Sequence, residues 1–326
     1  MENLTTTVNG TQPPNCYSPS YQTAAGKIGQ AFACCLFLVV SLVGNTLIAI
    51  IIYKTKTMRT TTNYFILNMA MSDLLLPILV FPSFVIEIYD GFWFFSGEQG
   101  LVFCKVVFFL QFVSCFVSIE NLVLIAVDRF GAVVFPLRPP LIGSKLCFFC
   151  VLTSWVAAIS MCSPTLFGYK SVKYTGKFQS CQSVWKQNFF ADNYFHFLPF
   201  VLVPISFAII IILYSTILFK LKSQKTPGEQ SVGKAVKQRE KRQRNVLRMA
   251  VAIVTGFVLC WAPATIFVLL NVFVWGNTKG LSCDITAYWY ILGIFMAYAN
   301  CAVNPCICFA FCGKYRQGLR ALLGCQ

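Results

Sequence analysis

An aspartate in the middle of an apolar stretch is a costly residue, and this chain has one at Asp73, in the run LNMAMSDLLLP. A carboxylate alone in hydrocarbon tends to take up a proton, whereas one met by hydroxyls and amides can hold an ion or ordered water. Asn45, Ser118, Asn300 and Asn304 interrupt other apolar stretches and are the candidates for that company. The same groups could instead tie packed helices together with no ion. A second charged feature, Asp128-Arg129-Phe130, closes an apolar stretch, where an arginine can extend along its stem to water. The one histidine, His196, has no partner with which to build a metal cluster or a catalytic pair, which argues against an enzyme. It reads as a packing or capping residue at a helix end rather than as a pH sensor.

Such residues need apolar elements to carry them. Of 326 residues, 57% are hydrophobic and 11% are charged, against about a quarter charged in soluble domains. The run from Ala31 to Tyr53 holds no charge, and crossing a bilayer takes roughly 20 such residues. The pattern predicts seven spans, at 28–53, 64–89, 103–129, 146–167, 195–219, 246–274 and 285–309. The expected fold is an all-α membrane protein, a seven-helix bundle followed by a short amphipathic helix. Residues 1–27 form an outer N-terminal segment, 28–309 the seven-span domain, and 310–326 a cytoplasmic amphipathic helix and C-terminus.

The formal net charge of +15 invites a nucleic-acid reading, but its distribution opposes one. With the N-terminus outside, 19 of the 26 lysines and arginines fall on the inner connections, the bias expected when basic residues resist translocation. The basic inner face also suits anionic lipid. The sequons Asn3-Leu4-Thr5 and Asn9-Gly10-Thr11 lie in the segment that this bias places outside, so Asn3 and Asn9 are glycosylation candidates. Most of the 16 cysteines sit within predicted spans as small apolar residues. Cys16, Cys104, Cys181 and Cys283 fall outside, where disulfides form. Their three possible pairings are equivalent on spacing alone.

Pro263 and Pro305 each remove a helix hydrogen bond inside a predicted span and kink it. Pro227-Gly228 breaks the long inner stretch Lys220 to Arg244, and from about Val232 the sequence favours helix that extends the sixth span inward. After the seventh span, Tyr315, Leu319 and Leu322 share one face of a short helix that lies on the membrane.

In these motifs the chain resembles the rhodopsin-like family of G-protein-coupled receptors over nearly its whole length. Gly44-Asn45, Leu67-Asn68 through Asp73, and Trp155 match its first, second and fourth spans. Cys104, twenty-five residues before Arg129, and Asp128-Arg129-Phe130 match the third, with Phe130 in place of tyrosine, and Pro136-Leu137 matches the inner-loop contact with G protein. Phe257, Cys260, Trp261 and Pro263 match the sixth span, and Asn300, Asn304 and Pro305 the seventh. Three departures stand out. Cys308 replaces the family tyrosine that helps hold the active state open. Pro204 and Tyr214 stand ten residues apart, where the family usually has eight. Gln243 occupies the position of an acidic partner for the arginine, with Glu240 three residues away.

The resemblance implies a plasma-membrane receptor, multi-pass and with its N-terminus extracellular, that binds a ligand and activates a heterotrimeric G protein. It implies a Cys104–Cys181 disulfide, with Cys16–Cys283 as a weaker second pair. It implies a pocket walled by Gln111, Phe112, Cys115, Trp261, Thr265, Asn271, Tyr290 and Ile294, with Glu87 and Asp284 able to attract a basic peptide. Amine receptors carry aspartate where this chain has Gln111, so a cationic amine would lack its charge partner. Opsins carry a Schiff-base lysine where this chain has Tyr298, and only an amine forms the imine. Gln111 and the outer-loop run Trp93-Phe94-Phe95-Ser96-Gly97 resemble neuropeptide receptors. The alternatives are a receptor for a non-peptide small molecule or lipid, and a transporter or channel, although neither a polar helix stripe nor paired broken halves are evident. No cofactor is expected beyond a sodium ion at Asp73, Ser118, Asn300 and Asn304. Activation is expected to swing the sixth span about Pro263, with Trp261, Phe257 and Ile119 at the pivot and Arg129 facing the G protein. Tyr214 and Pro305 belong to the same switch. No serine or threonine follows Pro305, which places any arrestin-recruiting phosphates on Ser223, Thr226 and Ser231, and makes Cys325 a palmitoylation candidate.

Overall fold

Helices long and apolar enough to cross a membrane account for seven segments of the described chain. The protein is seen in a computed structural model that describes residues 23–90, 97–136, 138–173, 179–183, 189–223, 234–270 and 283–324. The first span is α1 (Ala24–Lys54), whose N-cap Thr23 accepts from Gly26 N through its side chain. A 3₁₀ turn, Lys56–Met58, leads into α2 (Thr61–Asp73). The second span then changes pitch. Leu76–Val80 is a π-turn containing Pro77, after which α3 (Phe81–Asp90) completes the crossing. The wide turn begins just beyond Asp73, as π-bulges often do beside functional residues.

The third span, α4 (Gly97–Val134), is longer than the sequence pattern predicts at both ends and runs through the middle of the bundle, against α2, α5, α7 and α8. The fourth is α5 (Ser144–Cys162), continued by the single turn α6 (Thr165–Gly168). A hairpin follows that the sequence reading did not find. Strands β1 (Tyr169–Lys173) and β2 (Gln179–Ser183) pair antiparallel with Ser171 opposite Cys181, and β1 packs on α4. The fifth span is α7 (Phe189–Ser223). The sixth is α8 (Lys234–Leu270), which extends inward from close to where the sequence favours helix, and the seventh is α9 (Cys283–Phe311). Both α8 and α9 continue through their prolines, Pro263 and Pro305. The amphipathic helix is α10 (Gly313–Leu322), with Tyr315 buried and Leu319 and Leu322 packed on the core, as their spacing predicts.

Among the described residues, three apolar clusters hold the bundle. The largest fills its inner half, around Ile51, Phe65, Ile119, Tyr214, Phe257 and Tyr315. A second, around Phe81, Cys104 and Tyr298, binds the outer half of the second span to α4 and α9. The third lies between α4 and α5, around Phe116, Val117 and Ala158. Among the described residues, three close approaches fix the seventh span: a Cβ on Gly44 would lie 2.7 Å from Pro305 Cβ, one on Gly293 3.0 Å from Ala264 Cα, and one on Gly256 3.0 Å from Val303 Cγ1 and Ile307 Cδ1. Large aliphatic and aromatic side chains such as Phe32, Phe148, Ile211 and Leu259 point outward, the outer surface expected in lipid.

Candidate functional site

Asp73 is 1% exposed at the end of α2, and both of its carboxylate oxygens are engaged across helices. Ser118 Oγ of α4 donates to Oδ1 at 3.0 Å, and Asn304 Nδ2 of α9 donates to Oδ2 at 2.8 Å. Ser118 also shares a hydrogen bond with Ser72 at 3.1 Å, and Ser114 Oγ donates to Ser72 O at 2.9 Å. Three of the four residues expected around an ion, Asp73, Ser118 and Asn304, are therefore bonded to one another. The fourth, Asn300, lines the same small cavity as Asp73 and Ser118 and leaves its Oδ1 buried without a partner.

That cavity, of about 10 Å³, also reaches Leu76, Gln111, Ser114, Cys115, Trp261, Ala297 and Tyr298, and is about large enough for one water-sized particle. It joins the carboxylate cluster to part of the expected pocket wall, namely Gln111, Cys115 and Trp261. Gln111 Oε1 and Trp261 Nε1 are both buried without a hydrogen-bond partner, one an acceptor and the other a donor. Phe112 and Ile294 pack in the adjoining cluster with Tyr298. Thr265 donates its hydroxyl to Trp261 O at 2.9 Å, a bond within its own helix. Asn271, and the side chains of Glu87, Asp284 and Tyr290, lie outside the described residues.

At the inner end of α4, Arg129 turns back on its neighbour. Its Nη2 donates to Asp128 Oδ2 at 2.5 Å and its Nε to the same oxygen at 3.2 Å. Thr62 Oγ1 of α2 donates to that oxygen too, at 2.5 Å. The arginine is thus held to its own helix, with its side chain 18% exposed. Tyr214 is buried nearby in the inner core, its hydroxyl without a partner, whereas Pro204 is exposed. Phe257 stacks on Trp261, centroids 5.9 Å apart at 24°, and meets Phe207 at 5.8 Å. Ile119 belongs to the same cluster. Phe130 packs edge-on against Phe135, and Pro136 is exposed in the following turn. Leu137 and the side chains of Gln243 and Glu240 lie outside the described residues.

Cys104 is buried and disulfide-bonded. The side chains of Cys181 and Cys283 lie outside the described residues, as do Cys16, Asn3, Asn9 and Cys325.

Sequence reasoning missed a second polar cluster. Asn68 Nδ2 donates to Asn121 Oδ1 and to Ser154 Oγ, each at 3.1 Å, while Trp155 Nε1 donates to Asn68 Oδ1 at 2.7 Å. Asn121 in turn donates to Val117 O at 2.7 Å. The signal was present: Ser114, Ser118 and Asn121 recur at helical spacing along one face of α4. Glu120, a carboxyl within the same span with its Oε2 buried and unpartnered, was also overlooked. Thr62 gave no warning, because a threonine near a helix start is ordinary.

The pattern of the family described as 7 transmembrane receptor (rhodopsin family) matches residues 44–307. The chain is 28% identical, over 96% of its length, to a QRFP-like peptide receptor of Branchiostoma floridae, covering 82% of that protein. It is 30% identical to Neuropeptide FF receptor 2 of Mus musculus, over 87% of this chain and 70% of that one. It is 28% identical to the RYamide receptor of Drosophila melanogaster, over 87% of this chain and 60% of that one.

Proposed function

This chain belongs to the rhodopsin family of seven-transmembrane receptors, and from that premise we propose that it binds an extracellular peptide and activates a heterotrimeric G protein at the plasma membrane, with its N-terminus outside. The observation that carries the ligand class is the cavity floor. Gln111 Oε1 and Trp261 Nε1 are a buried acceptor and donor without partners, and both oxygens of the nearby Asp73 are already hydrogen-bonded. In a cavity of this size one water can satisfy both atoms, and an amide-bearing ligand group that displaced it would keep both bonds, whereas an apolar group would strand them. The names of the relatives, neuropeptide and RYamide receptors among them, agree with a peptide.

The test is nucleotide exchange on purified G protein by the reconstituted chain, driven by a panel of amidated peptides and their free-acid forms. An amidated peptide should activate, and Gln111→Leu should weaken that peptide by about tenfold or more while leaving surface expression intact. Activation by a small amine or a lipid, with every peptide inert, would overturn the ligand class.

The Asp73 cluster supports a sodium site within the same reading. Asn300 Oδ1 and Asn304 Oδ1 are buried acceptors without partners. With Asp73 and the Ser114 and Ser118 hydroxyls they form an oxygen-rich set of the kind that a hard cation prefers. The cation would add stability to the closed arrangement, and linkage then requires that sodium weaken agonist binding. Arg129, held against Asp128 and Thr62, is the residue that the G protein would meet once α8 moves away.

A further inference from the structure

Glu120 is a carboxyl that neither polar cluster of the bundle takes up. Its Oε2 is buried with no hydrogen-bond partner, although the residue as a whole is only half-buried. Nine residues along α4 from Arg129, or about 14 Å, it lies near the middle of a hydrocarbon core about 30 Å thick.

At about 100° per residue, Glu120 shares one face of α4 with Val113, Phe116 and Val117 towards the outside and with Val123, Leu124 and Val127 towards the inside. The outer three are buried against Ala158 and Cys162 of α5, and Cys162 is near enough to feel the Glu120 charge. The inner three are half-buried. This face is therefore sealed above Glu120 and opens from Glu120 inward. Half-buried Val151 of α5 and Leu213 of α7 join the same cluster as Val123, Leu124 and Val127, which sets the opening between α5 and α7. Gln111, Cys115 and Ser118, which reach the Asp73 cavity, lie about 140–180° round the helix from Glu120.

A carboxyl at this depth is costly in either form: ionised it lacks donors, and protonated it lacks an acceptor. The bilayer core holds no water to supply them. A hydroxyl meets both cases, because it donates one hydrogen bond and accepts others.

We propose that Glu120 anchors a lipid-facing site for an uncharged, lipid-soluble hydroxyl compound, whose apolar body lies along Val123, Leu124 and Val127 between α5 and α7. The depth excludes a lipid headgroup, which stays at the interface, so the occupant is a molecule dissolved among the acyl chains. The site is entered from the bilayer, shares no residue with the Asp73 cavity and stands apart from the receptor reading.

The experiment uses the full chain in lipid nanodiscs, with thymol as the probe and para-cymene, the same hydrocarbon without the hydroxyl, as its control. Dicyclohexylcarbodiimide, which attacks carboxyls from the lipid phase, should label Glu120 and spare Asp73, whose oxygens are both bonded; peptide mass spectrometry locates the label. Thymol should slow the labelling of Glu120 about fivefold, and para-cymene should not. Thymol should also raise the unfolding temperature, as a ligand of the folded state must. Glu120→Leu should demand about tenfold more thymol for the same rise, whereas Glu120→Gln, which keeps an acceptor oxygen, should retain most of it. Leucine in place of an unpaired buried carboxyl is compatible with folding, and if that variant does not fold, labelling of the wild type decides. Glu120 left unlabelled, equal protection by thymol and para-cymene, or a thymol effect undiminished in Glu120→Leu would each overturn the site. A thymol effect lost in Gln111→Leu but kept in Glu120→Leu would place the probe in the Asp73 cavity and overturn it as well.

Discussion

The middle and the inner end of α4 are held in different ways. At mid-membrane, directional bonds run from α4 to its neighbours: Ser118 to Asp73 and on to Asn304, and Asn121 to Asn68 and on to Trp155. At the inner end Arg129 bonds to the adjacent Asp128, and that carboxylate is tied to Thr62. The described contacts of α8 are apolar: Phe257 on Trp261 and Phe207, and Gly256 so close to α9 that a Cβ would lie 3.0 Å from Val303 Cγ1 and Ile307 Cδ1. Breaking the mid-membrane clusters would strand donors and acceptors in hydrocarbon, whereas apolar faces can slide or part without that cost. On the proposed receptor reading, the difference makes α8 the element expected to move and α2, α4 and α5 the frame.

The strongest way to break this contrast is to attack the frame. Asn68→Leu should strand Trp155 Nε1 and Asn121 Oδ1 and cost about 2–4 kcal/mol, seen as a lower unfolding temperature in nanodiscs. A shift within error would mean that the cluster holds nothing. Gly44→Ala comes next. Its methyl would meet Pro305 Cβ at 2.7 Å, and overpacking of this kind costs about 1–3 kcal/mol. An unchanged melting curve would show that α1 and α9 are free to separate.

Asp73→Asn probes the same frame through its expected ion. Sodium should weaken agonist affinity at the wild type by about tenfold, and the variant should lose that dependence. Persistence of the sodium effect would remove Asp73 from the site. The smallest effect belongs to the loose side. Gln243→Glu puts a carboxylate at the position where the family resemblance expects an acidic partner for Arg129, and a solvent-screened ion pair is worth about 0.2–1 kcal/mol. Basal nucleotide exchange should fall by up to about fivefold, and an unaltered basal rate would show that apolar packing alone sets the resting state.

The spans were legible because lipid demands long uncharged runs, and Ala31 to Tyr53 is unmistakably one. The Asp73, Ser118 and Asn304 cluster was legible for the same reason: each is a polar break in such a run. Asn121 and Ser154 met that criterion as well and were passed over, because an amide or hydroxyl announces a cost but not the partner that offsets it. The hairpin was not legible. The segments at 169–173 and 179–183 show no sustained apolar alternation, the pattern by which a half-buried strand is read. The face of α10 was readable from its spacing, but the hydrogen bond from Tyr315 to Asn63 of α2 was not, since nothing local in the sequence relates residues so far apart.

The π-turn at Leu76–Val80 has a consequence for insertions and deletions. A π-turn spends one residue more than an α-turn to cover the same stretch of helix. Deleting one residue there would let the second span close into regular α-helix, with Asp73 below and Phe81 above still facing their present neighbours. The same deletion in a regular stretch of any other span would rotate everything beyond it by about 100°. The second span therefore carries its tolerance to length change at a single place, beside its most costly residue.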